Sequence, residues 1–383
     1  MLASVEAADS FSPMLSRCVV VVLAAALGAH PCVVAGQPSR PTPTITWSGY
    51  LDGYLALDAG RPRTLDRPYT TTAARHAEFN INLAHVAVSY DAPRVRGRLA
   101  LQAGTSVQAN YASEPTVGML SGSSLARHLQ EAYAGVQLDD DLWLDAGVYF
   151  APFGRESWIS ADNWTYTRSL IADNSPYYQS GVKLSWQAAP SLALQFNVMN
   201  GWQNISETND DKALAVSADW TFRPHQVLSY DAFFGNEAPD SVPSRFRTFH
   251  EVSWQGRVST RVDGMATLDV GRQARSSGGG TAATWWGGAV LTRLALRPNT
   301  AWLALRVETY ADRDNVLVST NGAGEFVVRG GSVNLDLAPA SGILWRSELR
   351  VLGATRAVFP DRDTASGTGT RSIGLTTSLA LRF

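Results

Sequence analysis

Hydrophobic alternation with a period of two runs along this chain to its last residue. In the final segment, 371–383, the apolar residues Ile373, Leu375, Leu379, Leu381 and Phe383 occupy odd positions. The residues at even positions are small or polar. Because successive side chains of a β-strand point to opposite faces, this segment predicts a strand with one continuous apolar face. Such a face needs either a protein core or lipid to cover it.

About sixteen segments of this kind follow one another in the chain. They are 45–57, 79–90, 94–107, 128–138, 142–150, 177–187, 191–201, 212–222, 226–235, 246–257, 262–272, 284–296, 301–312, 325–337, 343–352 and 371–383. Their connections alternate in length, with short turns such as 91–93 and long loops such as 108–127. This alternation is typical of outer-membrane barrels. We therefore predict an all-β fold, an antiparallel transmembrane β-barrel of about 16 strands with short periplasmic turns and long extracellular loops.

Two places in the sequence leave the strand count open. Within 79–90 the apolar parity changes after Leu83, which predicts either a β-bulge or a misread strand. The turn near 257–262 has no sharp sequence signal. Fourteen and eighteen strands therefore stay as alternatives to sixteen.

The first 36 residues have the character of an export signal. A twelve-residue apolar run begins at Cys18, and small residues precede an expected cleavage near Ala35. A spanning helix needs about 20 apolar residues, so a membrane anchor is the weaker alternative. Met14 is an alternative start of the chain. The predicted divisions are a cleaved signal peptide at 1–36, a short periplasmic segment at 37–44 and the transmembrane barrel at 45–383.

The charge balance and the cysteines exclude several classes of partner. The chain has 32 Lys and Arg residues against 34 Asp and Glu, a formal net charge of −2, whereas binding to nucleic acid needs a clustered excess of basic residues. Cys18 and Cys32 both lie in the predicted signal peptide, so neither disulfides nor thiolate metal sites are expected in the mature chain. We predict no nucleic-acid partner, no cofactor and no metal.

Aromatic residues collect near the predicted strand ends, as they do at membrane interfaces. Those beside short turns or chain ends, which we expect to form a periplasmic girdle, are Trp47, Trp186, Trp220, Trp345 and Phe383, with Tyr90 as a further member. Those near long loops, which could form an outer girdle, are Phe79, Phe150, Tyr178, Phe234 and Trp286. The alternative is that they are core aromatics of a soluble β protein.

Several motifs resemble one family of bacterial proteins. They are Gly147-Val-Tyr-Phe-Ala-Pro-Phe-Gly-Arg-Glu156, Asp162-Asn-Trp164, Arg168-Ser169, Pro176-Tyr-Tyr-Gln-Ser-Gly181, Val198-Met-Asn-Gly-Trp202, Asp211-Lys-Ala213, Arg306-Val-Glu308 and Ser347-Glu-Leu-Arg350. Together with the closing strand, they are similar to the β-barrel porin-2 family over about residues 45–383. The resemblance implies a pore in the cell outer membrane, surrounded by outer-membrane lipid. Phe383 resembles the terminal signal that the outer-membrane assembly machinery reads.

A barrel of about sixteen strands encloses an aqueous channel rather than a packed interior. Passive diffusion of small hydrophilic solutes is therefore the leading prediction. The lumen wall is expected to carry Arg306, Glu308, Arg346, Glu348 and Arg350, which have inward parity. Other charged residues of inward parity are Asp52, Arg94, Arg96, Arg98, Glu131, Asp145, Lys183 and Asp219. Because both signs occur, we expect no strong preference for anions or cations.

The third long loop, 151–176, is the candidate for a pore constriction. In general porins the third loop folds inward, and by analogy we predict that this one narrows the channel. The residues expected to line or brace the constriction are Arg155, Glu156, Asp162 and Arg168. Alternatively, Glu156 and Arg168 fasten the loop to the wall by charge-assisted hydrogen bonds and never touch solute.

Two other function classes stay open. A barrel hydrolase could use the neighbouring pairs His128–Glu131 or His250–Glu251, although the sequence has no HExxH or GxSxG motif. A closed structural or adhesion barrel would act through its loops, including the Gly- and Ser-rich stretch 365–370. We predict a channel rather than an enzyme, and we leave open whether copies of the chain associate.

Overall fold

Sixteen antiparallel strands close into a barrel in the computed structural model, which describes residues 42–275 and 281–383. Each strand pairs with its neighbours in chain order, and the first strand pairs with the last, Tyr50 opposite Arg382 and Asp58 opposite Gly374. In the described residues, closure leaves the barrel itself without an unpaired edge. The predicted fold class and strand number are confirmed. The predicted signal peptide at 1–36 lies outside the described residues.

The strand boundaries follow the predicted segments closely. The barrel strands are β1 (Thr44–Asp58), β2 (Phe79–Ala92), β3 (Val95–Ala103), β4 (Leu129–Asp139), β5 (Leu142–Phe150), β6 (Tyr178–Ala189), β7 (Leu192–Met199), β8 (Ala213–Arg223), β9 (Gln226–Asn236), β10 (Phe246–Arg257), β11 (Val262–Gln273), β12 (Ala283–Arg297), β13 (Ala301–Asp312), β14 (Phe326–Ala340), β15 (Ile343–Ala354) and β18 (Arg371–Arg382). Two short strands, β16 (Phe359–Pro360) and β17 (Thr368–Gly369), form a separate hairpin in the last long connection.

Helices occur only as short pieces within the long connections of the described ranges. They are α1 (Thr105–Asn110), α2 (Ser123–Ala126) and α3 (Leu170–Asp173), with a 3₁₀ turn at Ser160–Asp162. No helix in residues 42–275 and 281–383 is long and apolar enough to cross a membrane.

Strand β3 ends four residues earlier than the sequence pattern predicts, because the chain turns at Gly104 into α1. Gly104 has φ +138°, and a Cβ atom there would lie 2.3 Å from the carbonyl oxygen of Asn82. Only glycine fits that conformation and that approach. The turn places α1 against β2 and β3 inside the barrel mouth.

The parity slip predicted in the second strand is a β-bulge. The register of β1 with β2 passes from Asp52 opposite Leu83 to Gly53 opposite Ile81, so Asn82 is the extra residue. The Asn82 side chain is buried, where its Nδ2 donates to Asp52 Oδ2 at 2.9 Å and its Oδ1 accepts from the amide of Ala73 at 2.9 Å.

The outer face of the barrel is apolar and exposed, and the inner face is mostly buried. In β18, Leu375 and Leu379 are exposed, whereas Thr376 and Ser378 between them are buried. The five aromatic residues predicted for the periplasmic girdle, Trp47, Trp186, Trp220, Trp345 and Phe383, are 44–71 % exposed. Their exposure is what contact with lipid requires, and their role as a girdle stays a prediction.

Two residues do not lie where the pattern predicts. Tyr178 was expected in the outer girdle, but it faces inward: its ring stacks on Tyr111 at 4.3 Å between centroids, and its hydroxyl donates to Glu114 Oε2 at 2.8 Å. Arg94 was expected on the lumen wall, but it lies exposed in the turn between β2 and β3. Both errors arise at strand ends, where parity no longer fixes direction.

The core of the protein lies inside the barrel rather than between two sheets. Trp202, in the connection after β7, lies 5.0 Å from the ring of Phe233 and 5.0 Å from that of Phe249, both on inner strand faces, and 6.0 Å from the ring of Phe153. Aromatic packing of this kind fixes the long connections against the inner wall.

Candidate functional site

The connection between β5 and β6, residues 151–177, contacts side chains on the inner face of distant strands; we call it the third connection. It has little regular secondary structure, so its backbone polar groups need partners elsewhere. The wall supplies them. The amide of Thr167 donates to Glu348 Oε2 at 2.6 Å, and the amide of Leu170 donates to Glu308 Oε2 at 2.7 Å.

Arg306 makes three hydrogen bonds to the third connection. Its guanidinium donates to Thr165 Oγ1 at 2.7 Å, to the carbonyl oxygen of Thr167 at 2.5 Å and to Thr167 Oγ1 at 3.0 Å. It also pairs with Glu308 and with Glu348, each at 3.2 Å. The Arg306 side chain has no exposed surface.

The rest of the predicted lumen wall completes two buried networks. Arg350 donates to Glu308 Oε2 at 2.9 Å, which joins it to Arg306. Arg346 pairs instead with Asp336 at 2.8 Å and donates to the carbonyl oxygens of Ser160 and of Asn163, the latter at 2.8 Å. All five predicted wall residues therefore lie on β13–β15 and have almost no accessible surface. Four of them bond the third connection directly, and Arg350 is joined to it through Glu308.

Glu156 lies within the third connection and is almost fully buried. Its carboxylate accepts from the amide of Ser169 at 3.0 Å and from the Ser169 hydroxyl, and its Oε1 lies 3.9 Å from Arg306 Nη1. Burial raises the pKa of Glu156, against the opposing effect of the Arg306 charge and the Ser169 hydrogen bonds.

Arg168 is also buried, and it binds parts of three different connections. It donates to Asp173 Oδ1 at 3.2 Å and to Asn110 Oδ1 at 3.0 Å, it bonds the Thr71 hydroxyl, and its guanidinium lies 3.4 Å from the centroid of the Tyr177 ring. Glu156 and Arg168 are thus placed to fasten the connection, the alternative that the sequence left open.

Arg155 and Asp162 keep part of their surface accessible. Arg155 pairs with Asp219 and donates to Ser253 Oγ at 3.1 Å, with 19 % of its side chain exposed. Asp162 accepts from Arg382 at 2.7 Å, and both side chains are exposed. The four predicted constriction residues therefore divide into two that are buried and two that solvent reaches.

The facing wall, strands β3–β6, carries the charged side chains that remain partly accessible. Arg96 pairs with Asp145 at 2.6 Å and Lys183 with the same carboxylate at 3.5 Å, while Arg98 pairs with Glu131. The exposed fractions of the three cationic side chains are 29 %, 15 % and 23 %, whereas Asp145 has none. These pairs lie on the inner face and have no contact with the third connection among the hydrogen bonds of the described residues.

A row of acidic residues on three adjacent strands is not evident from any single segment of the sequence. Glu251 on β10 lies opposite Asp231 on β9 and opposite Asp269 on β11, and all three side chains are buried. Glu251 Oε1 accepts from the amide of Gly154 at 2.7 Å. The inward parity of each residue could be predicted, but their alignment depends on strand register.

The pairs considered for hydrolysis do not come together. His250 is bonded to the Tyr230 hydroxyl at 2.7 Å, and Glu251 points to the opposite face of the same strand. Glu131 is paired with Arg98, while His128 contacts the carbonyl oxygen of Gln102 at 3.3 Å. Among residues 42–275 and 281–383, no group of three or more His, Cys, Asp or Glu residues is arranged to hold a metal ion.

Comparison with known proteins gives one family and several similar structures. A family model described as "Putative beta-barrel porin-2, OmpL-like" matches residues 44–383. No curated protein matches the chain at the level of sequence.

Three solved structures illustrate the structural similarity. The outer membrane channel DcaP of Acinetobacter baumannii superposes with a TM-score of 0.60 at 13 % identity, over 91 % of this chain and 100 % of that one. An anion-selective porin from Comamonas acidovorans gives 0.59 at 9 % identity, over 89 % and 100 %. Salmonella typhi OmpF in complex with daunomycin gives 0.55 at 12 % identity, over 88 % and 97 %. At these identities the similarity concerns the fold.

Proposed function

Because this chain belongs to the β-barrel porin-2, OmpL-like family, we propose that it lets small hydrophilic solutes diffuse passively across the outer membrane, through a water-filled barrel narrowed by the third connection. A porin-like barrel in the outer membrane is the premise. The mode of transport and the position of the narrowing are the proposal.

One asymmetry of the interior carries this proposal. On β13–β15, Arg306, Glu308, Arg346 and Glu348 bond the third connection and have almost no accessible surface. On β3–β6, Arg96, Arg98 and Lys183 keep part of their surface accessible. We therefore expect solutes to pass between the third connection and the β3–β6 wall.

The proposed roles of the predicted residues follow from this arrangement. Arg155 and Asp162 face the passage from the third connection, because solvent reaches both. Glu156 and Arg168 hold the connection in place. The residues that anchor it to the wall are Arg306, Glu308, Arg346, Glu348 and Arg350.

The mixture of charges along the passage argues for weak ion selectivity. Arg96 and Lys183 share the carboxylate of Asp145, and Arg155 is paired with Asp219. The field of each pair therefore largely cancels at the distance of a passing ion. We expect at most a small ion selectivity. It should favour anions, because the accessible charged side chains of the β3–β6 wall are cationic.

Planar-bilayer recording of the purified, refolded chain tests the proposal. We expect stable ion conductance, and liposome swelling with sugars of graded size should give an upper size limit. Arg155→Gln should change the single-channel conductance and move the reversal potential toward cations, since it removes a positive charge beside the passage. Arg313→Gln is the matched control, because Arg313 is an exposed loop residue paired with Glu325.

Two results contradict the proposal. A folded barrel without conductance and without swelling is a closed structural or adhesion barrel. Conductance that is the same in the wild type, Arg155→Gln and Asp162→Asn shows that the third connection does not form the narrowing.

A further inference from the structure

A cavity of about 410 Å³ lies among the long connections, outside the passage described above. The connection 59–78 between β1 and β2, which we call the first connection, supplies Asp66 to Arg75; α1 supplies Thr105 and Gln108; and the end of α3 supplies Asp173 and Asn174. A volume of this size is within the range of small-molecule sites. We call it the mouth cavity.

The walls of the mouth cavity are held by specific bonds rather than by loose loop contacts. Asp66 and Arg75 form an isolated β-bridge. The Arg67 amide donates to the carbonyl oxygen of Ala74 at 2.8 Å, and the Arg67 guanidinium donates to that of Ala73 at 2.7 Å. Thr71 Oγ1 donates to Asp173 Oδ1 at 2.5 Å, which ties the first connection to α3. A fixed shape of this kind lowers the entropy cost of binding a ligand.

Two buried polar atoms on residues of this cavity lack a hydrogen-bond partner among the described residues. They are Asp173 Oδ2, an acceptor, and Arg67 Nε, a donor that faces the barrel wall, where Asp58 Oδ2 is 3.7 Å away. The Asp173 and Arg67 side chains are 3 % and 6 % exposed. Buried polar groups nearly always have partners, so a ligand that donates a hydrogen bond to Asp173 Oδ2 would complete this site.

Each charge on the cavity wall is already compensated by a charge of the protein. Asp66 pairs with Arg75 at 2.6 Å, Arg67 with Asp58 at 3.7 Å, and Asp173 with Arg168 at 3.2 Å. An ionised ligand would therefore lose hydration without gaining an unpaired counter-charge. The uncharged polar residues of the lining are Thr70, Thr71, Thr105, Gln108 and Asn174. All except Gln108 also bond other groups of the protein, and their oxygen atoms remain able to accept a further hydrogen bond.

We propose that the mouth cavity binds a neutral polyhydroxylated solute, such as a sugar, beside the entrance of the barrel. A sugar hydroxyl donates to Asp173 Oδ2, and the amide of Gln108 and the Oδ1 of Asn174 bind further hydroxyls. The half-buried ring of Tyr69 offers an apolar surface to the sugar ring. The inference rests on the proposed function only in treating the bound solute as one that the channel transports.

Titration calorimetry of the folded, detergent-solubilised chain tests the site directly, with glucose, sucrose and maltose as neutral probes. Glycine and sodium gluconate serve as the zwitterionic and anionic probes. We expect saturable binding of at least one neutral sugar and weaker binding of both ionised probes. No sugar binding, or tighter binding of glycine or gluconate, overturns the assignment.

Two variants locate the binding. Gln108 is exposed at the cavity, so Gln108→Leu removes its amide without burying a polar group, and sugar affinity should fall about fivefold. Asp173→Asn replaces the charged acceptor and should weaken binding about tenfold or more. Gln137→Leu is the matched control and should bind like the wild type, because Gln137 lies near the end of β4 beside a short turn and does not line the cavity. Equal affinity in all four chains overturns the proposal.

Conductance of the same preparations separates this inference from the proposed function. A chain that conducts but binds no sugar refutes the mouth site alone. A chain that binds sugar but does not conduct refutes the transport proposal and leaves the binding site standing.

Discussion

Removal of the Arg306 guanidinium should loosen the third connection from the wall more than any exposed ion pair could. Arg306→Met deletes three hydrogen bonds to Thr165 and Thr167. It also deletes three buried ion pairs, to Glu156, Glu308 and Glu348. Glu308 keeps Arg350 at 2.9 Å, but Glu348 is left with only the amide of Thr167 at 2.6 Å. Breaking a buried pair in this way costs about 3–5 kcal/mol.

The free energy of unfolding in urea measures this cost. Tryptophan fluorescence and heat-dependent migration on gels report the unfolding of the barrel. We expect Arg306→Met to lower the free energy of unfolding by about 3–5 kcal/mol. In the double variant Arg306→Met with Glu348→Gln, part of the loss should return, because the orphaned charge is gone. The single-channel current of Arg306→Met should also become noisier, since the third connection is held less firmly.

Arg313→Met provides the matched control. Arg313 pairs with Glu325 at 2.6 Å, but 65 % of its side chain is exposed, and such pairs contribute about 0–1 kcal/mol. If Arg306→Met costs no more than Arg313→Met, the argument that wall charges anchor the third connection is wrong. Equal stability of the single and double variants would contradict the part of the argument that concerns Glu348.

Three further predictions concern other parts of the chain. Gly104→Ala should destabilise the barrel by roughly 2 kcal/mol or more, because the residue has φ +138° and its Cβ would lie 2.3 Å from the Asn82 carbonyl oxygen; an unchanged urea midpoint would count against that geometry. Glu156 has a folded-state pKa above its ordinary value of 4.5, so the folded chain binds more protons and its stability should fall as pH rises from about 4.5 through the folded pKa. Glu156→Gln should reduce this dependence of the unfolding free energy on pH. The same dependence in the variant and the wild type would contradict the prediction. Asp219→Asn should leave Arg155 unpaired beside the passage and increase anion preference, which a reversal potential shifted toward cations would contradict.

The direction of the side chains along each strand could be predicted from the sequence, because alternation is a local property. Alternation along each strand predicted sixteen segments, the inward direction of Arg306 and the break in pattern that proved to be the bulge at Asn82. A strand exposes alternate residues to two different environments, whatever its neighbours are. The sequence of each segment therefore shows by itself which residues face the interior and which face the outside. The prediction failed for Tyr178 and Arg94, which lie where the strand geometry ends.

The site depended on contacts between residues far apart in the sequence. That Glu348 accepts from Thr167, 181 positions away, follows from barrel closure and from the unsatisfied backbone of a connection without regular structure. The sequence predicted that Glu156 and Arg168 either line or brace the third connection, and only their tertiary partners distinguish the two. Register likewise aligned Asp231, Glu251 and Asp269. The sequence by itself therefore determined the cylinder and its two faces, because alternation is local. The tertiary structure decided which inward charges are buried in bonds to the third connection and which remain accessible to solvent, because those bonds join residues far apart in the chain.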